Sequence, residues 1–193
     1  MKYFTKELWS ALQEPGHEGQ KADRRWGENL AAYLAELESL RERLAPDVFA
    51  FFRDADVHDG ALVHLQIRDF DPLAPRDTQP IEVADDASDL GPWEGPYRVT
   101  VEMRVATSDA IRDTEWTVRY ARMRRVMIDF PSESPLFYRP GDGFEDWGYH
   151  ELTDVGDGFL RHEVLFASGS IVLVEFRDVS VERVDRPSVP PGP

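Results

Sequence analysis

After Asp54 the apolar residues of this 193-residue chain change their spacing, from a recurrence near 3.6 to a recurrence of 2. That switch limits the fold more than any single motif does. Ahead of it, Phe4, Leu8 and Leu12 repeat every four residues, with Thr5 placed to cap the first turn. Glu14 to Gly19, holding one proline and two glycines, breaks that helix. A longer helix is predicted from about Ala22 to Leu44, its apolar stripe being Trp26, Leu30, Tyr33, Leu34, Leu37, Leu40 and Leu44. Pro46 ends it and suits the first turn of a short third helix, Pro46–Arg53, where a missing amide costs nothing.

Beyond the switch, Ala61, Val63, Leu65 and Ile67 form one face of a predicted strand, with Leu62, His64 and Gln66 on the other. Tyr97 to Val105 alternates more cleanly, and Trp116, Val118 and Tyr120 repeat the pattern. Val126, Ile128 and Phe130 continue it after a slip of parity within Ala121–Arg125, which predicts a bulge. Trp147–Leu152, Phe159–Phe166 and Ser170–Val184 complete the strands, the last two joined by the hairpin signal Ala167-Ser-Gly169. Helices first and one-sided strands afterwards predict an α+β fold. Its expected form is N-terminal helices packed on one face of a mostly antiparallel, twisted sheet of about six to seven strands. The expected organisation is one domain over 1–185, helical to 53 and β from 54, with a flexible Pro-rich tail at 186–193. Residues 71–95 and 131–146 read as loops, the first of them strongly acidic.

Composition removes several classes of function. Without cysteine there is no disulfide, thiolate metal site or cysteine nucleophile. A formal charge of -15, from 37 acids against 22 bases, argues against generic binding to nucleic acid phosphates. Residues 54–92 alone carry ten acids and two bases. No apolar run approaches the roughly 20 residues of a bilayer span, and no signal-peptide pattern opens the chain. The expectation is a cytoplasmic protein that meets neither membrane nor nucleic acid.

Few constellations carry chemistry. Asp54 to Gly60 begins like a calcium loop, but Asp59 stands where glycine is required and Leu65 where a bidentate glutamate is. His58, Asp59, His64 and His162 are the candidate metal ligands, since imidazoles on adjacent strands can share a divalent ion with a carboxylate. No HxH or HExxH spacing makes them converge, and His150 falls on a further strand. His64 shares parity with the solvated side. His162 alternates with Leu160, Val164 and Phe166, which suits a half-buried ring satisfied by one hydrogen bond. No nucleophile elbow, phosphate loop or dinucleotide fingerprint is present, so no catalytic residue and no cofactor are assigned. In the basic run from Arg119 to Arg125, Arg122 and Arg124 are candidates to bind an anion bidentately; pairing with acids on neighbouring strands is the favoured reading. Trp93, Trp147 and Tyr149 are candidate recognition residues, the two tryptophans as exposed anchors beside loops. Trp116 reads as core.

The opening Met1-Lys-Tyr-Phe-Thr-Lys-Glu-Leu-Trp9 resembles the start of a family of small bacterial proteins of uncharacterised function. The step Asp56-Val-His-Asp59 into a strand and the closing pattern around His162–Phe166 and Ile171–Asp178 are similar to it as well. The resemblance implies a bacterial cytosolic protein with lineage insertions in its long loops, and it supplies no catalytic residue. The residues point to a non-enzymatic acidic binding or interaction protein whose partner is basic; neutralising a toxin domain is one concrete version. The alternative is a metal-dependent hydrolase using His58, Asp59, His64 or His162. A third reading is a small-molecule binding protein with a pocket between helices and sheet.

Overall fold

A computed structural model describes residues 1–68, 99–108, 112–130 and 143–187. Helix α1 (Lys6–Leu12) starts where Thr5 Oγ1 accepts the Leu8 amide at 3.2 Å. Helix α2 (His17–Ser39) begins and ends about five residues ahead of its predicted span. The reason is local. Gly16, at φ 79°, turns the chain straight out of α1 into α2, a conformation that a Cβ would disfavour. At the other end the chain tightens into a 3₁₀ turn, Arg41–Arg43, in place of another α turn. Helix α3 (Pro46–Asp54) has proline in its first turn, as its sequence requires.

Among the described residues six strands follow: β1 (Gly60–Arg68), β2 (Thr100–Ser108), β3 (Arg112–Asp129), β4 (Asp146–Asp154), β5 (Leu160–Phe166) and β6 (Ile171–Pro187). Every pairing is antiparallel, in the order β1-β2-β3-β6-β5-β4. The α+β class, with helices leading an antiparallel sheet, agrees with the change of apolar period. Closure does not follow from that pattern: β4 returns to β1, and the sheet becomes a barrel. Only Gly60↔Trp147 and Ala61↔Asp146 form this last seam. β6 pairs with β3 as far as Pro187↔Arg112, so regular structure enters the predicted tail. Trp93, the acidic stretch 71–95, residues 131–142 and residues 188–193 lie outside the described residues.

Bulges decide which side chains face inward. In β3 the register shifts between Met123 and Arg125, with Arg122 at φ 49°, where the sequence slips parity. In β1 it shifts between Leu62 and His64, and this overturns the predicted inner face ahead of Leu65. Val63 and Ile67 are 54% and 48% exposed, while Leu62 and Leu65 pack on the core. In β4 the shift between Trp147 and Tyr149 depends on Gly148, where a Cβ would lie 2.8 Å from the Leu165 carbonyl oxygen. Trp147 is fully buried, contrary to its expected role as an exposed anchor. It opens a strand that forms part of the barrel wall, and its indole packs on Phe166 at 5.6 Å. Trp116, expected in the core, is half-buried against it.

Met103, Tyr120, Trp147, Leu152, Phe166 and Phe176 share one apolar cluster with Leu37, Val48, Phe51 and Phe52 of the helices. Phe51 has no exposed surface; burying a side chain of that size contributes about 2–3 kcal/mol. Among the described residues no helix is long and apolar enough to cross a membrane.

Candidate functional site: a tyrosine–histidine–histidine relay

Three strands of the wall each send one polar ring into this apolar interior. Tyr120 lies on the inner face of β3 with Val118, both essentially fully buried. His162 lies on the inner face of β5, between the buried Leu160 and Val164. Leu152 of β4 pairs with His162, and His150, two residues away along β4, is therefore the diagonal neighbour on the same face. Tyr120 Oη lies 2.5 Å from His162 Nδ1, and His162 Nε2 lies 3.2 Å from His150 Nδ1. Phe52 stands edge-on to His162 at 4.8 Å, Phe51 edge-on to His150 at 5.5 Å, and Trp147 lies 5.7 Å from His150. His162 is fully buried and His150 half-buried, so His162 exceeds its expected burial and has two ring partners in place of one.

Burial fixes the charge of these groups. It lowers His150 from 6.5 to about 4. It takes His162 well below its ordinary value, helped by the neighbouring His150, and pushes Tyr120 well above its own. All three are neutral at pH 7, and neutrality fixes the protons. Among the described residues the Tyr120 hydroxyl has no acceptor besides His162 Nδ1. If it donates there, His162 carries its proton on Nε2 and donates to His150 Nδ1, leaving the His150 proton on Nε2. Among the described residues His150 Nε2 makes no hydrogen bond with the protein. The adjacent Trp147 indole N–H is buried without one, a deficit of about 1–3 kcal/mol.

The other sequence candidates lie apart from this relay. His58 and Asp59 form an exposed pair, 2.9 Å apart, in the turn before β1. His64 sits 3.7 Å from Glu102 on the side of β1 away from the core. With His162 inside the barrel, the metal candidates occupy three separate places, and among the described residues no three His, Cys, Asp or Glu side chains form a metal-holding group. Tyr149 turns away from the relay, its ring 4.4 Å from Trp26 and 5.0 Å from His58. The arginines are engaged by acids on neighbouring strands, as the favoured reading held. Arg119 reaches Glu102 at 2.8 Å and Glu182 at 2.9 Å, Arg122 grips both oxygens of Asp178, and Arg124 meets Glu175 at 2.7 Å. Burial alone would raise the Glu175 carboxyl, but Arg124 and Arg161 together hold it below the usual carboxylate range.

Two features escaped the sequence. Tyr120 and His150 were visible as inward-parity polar residues among Val118 and Leu152, yet nothing in one strand names its partner in another. Glu151 was hidden likewise. This fully buried carboxylate accepts the backbone amides of Lys2, Tyr3 (2.9 Å) and Phe4 (3.3 Å). Opposite it on β5, Glu163 meets the Met1 amino group at 2.8 Å, so this pair of carboxylates is occupied. Comparison of the chain with protein families, with curated proteins and with solved structures finds no match.

Proposed function

We propose that this chain is a non-enzymatic binding protein that holds a small molecule inside the barrel, where His150 and α3 meet. One observation carries the reading. Among the described residues the relay is satisfied at every nitrogen but the last, His150 Nε2, which belongs to a half-buried ring set against Phe51, Phe52 and Trp147. Apolar walls with a few convergent polar groups are the usual make-up of a ligand site. In this reading the helical third packs over the barrel, and α3 is its lid. The test is NMR of protein labelled with ¹⁵N at histidine and tryptophan, titrated with small aromatic fragments. A fragment should shift His150 Nε2 and the Trp147 indole while leaving His64 in place. Shifts confined to His58 or His64, or absent altogether, overturn the reading.

A second reading follows from charge. With 37 acids and 22 bases, one-to-one pairing leaves 15 carboxylates without a cation, and Arg119, Arg122 and Arg124 of the barrel wall are already matched. A basic protein partner would supply the missing charge. Such a partner should be captured from a bacterial lysate at low salt and released at high salt; recovery of none at low salt counts against this reading.

A further inference from the structure

Resting on the interior site, we propose that it selects its ligand by hydrogen-bond polarity: it takes a small neutral molecule bearing a carbonyl-type oxygen and rejects one that offers only a donor. The relay has two possible directions. Running outward, the Tyr120 hydroxyl donates to His162 Nδ1, His162 Nε2–H donates to His150 Nδ1, and His150 Nε2–H awaits an acceptor. Neither Tyr120 nor His162 is then left with an unpaired donor.

A ligand N–H or O–H donating to His150 Nε2 would reverse every step. His150 would carry its proton on Nδ1 and give it to His162 Nε2, and His162 Nδ1–H would point at the Tyr120 oxygen. The Tyr120 hydroxyl hydrogen would then have no acceptor among the described residues, in a place with about 1% exposure. An orphaned buried donor weakens binding by about tenfold or more. The discrimination is thus set at the far end of the relay, by a residue that never touches the ligand. Tyr120 is a positioning residue. The Trp147 indole, a second donor without an acceptor beside His150, favours the same ligand polarity. The groups around His150 are aromatic rings and a neutral imidazole, so a carboxylate would find no opposite charge there to offset its lost hydration.

The experiment has two arms. Long-range ¹H–¹⁵N spectra of histidine-labelled protein at neutral pH report the tautomers directly. Both His162 and His150 should carry the proton on Nε2, and a His150 proton on Nδ1 overturns the proposal. Acetophenone, an acceptor, and indole, a donor, are then titrated into the native protein and into Tyr120→Phe. Acetophenone should bind the native protein about tenfold tighter or more, and the ratio should fall sharply in Tyr120→Phe, which has no hydroxyl hydrogen to strand. Equal affinities in the native protein overturn the polarity rule and leave the site standing. If neither probe moves His150, the site and the rule fall together. Should Tyr120→Phe not fold, the native tautomers and the native affinity ratio decide the matter.

Discussion

With its pKa lowered from 6.5 to about 4, His150 takes up a proton in the unfolded chain well before it does so in the folded one. Between those values the unfolded state binds more protons, so stability rises with pH through the window and is lost as pH falls through it. At pH 5 the loss from His150 alone is roughly 2 kcal/mol. His162 shifts in the same direction and adds to it. The paired carboxyls of Glu36, Asp154 and Glu175 behave differently: being depressed, they surrender their contribution only as pH drops below the ordinary carboxylate range. His150→Gln should therefore flatten the decline between pH 7 and 5, seen as a smaller change in urea midpoint than the native protein shows. An unchanged decline would mean that His150 is not held neutral by the fold. The inward parity of His162 was legible from Leu160, Val164 and Phe166. Its partnership with Tyr120 was not, because that contact joins two strands which share no ladder.

The N-terminal segment shows how much of an element's placement rests on one carboxylate. Glu151 serves the amides of residues 2 to 4, and α2 holds the same segment from the other side. Asn29 donates to the Tyr3 carbonyl at 2.7 Å, and Glu36 takes Lys2 Nζ at 2.5 Å together with the Tyr3 hydroxyl. Glu151→Ala strips these amides of their acceptor and should destabilise the protein by about 2–4 kcal/mol, with faster hydrogen exchange at Tyr3 and Phe4. Glu151→Gln, which keeps an acceptor oxygen, should lose less; equal exchange in all three proteins would refute the anchoring role. Helices and strands were readable because a period of 3.6 or 2 is written locally. The β3 bulge was readable too, since its slip breaks a long alternation at Arg122. The β1 bulge was not: Ala61, Val63, Leu65 and Ile67 alternate without interruption, and only the pairing with β2 turns Val63 outward and Leu62 inward. Trp147 was misplaced for a related reason, as adjacency to a loop says nothing about a strand that closes a barrel.

Across the whole molecule, net charge was legible from composition and closure was not. The acidic excess acts over about 8–10 Å at ordinary salt, which is why a basic partner remains a reading of surface and the small ligand a reading of interior. Closure depends on two residue pairs between strands far apart in sequence, too slight a signal for any pattern of spacing. The same brevity has a mechanical side. A cylinder whose final stave is fastened by two rungs breathes there before it breathes elsewhere, and His150 lies on β4 just past those rungs. Parting β1 from β4 would open a doorway to the imidazole and leave the longer ladders zipped, so entry need not await global unfolding.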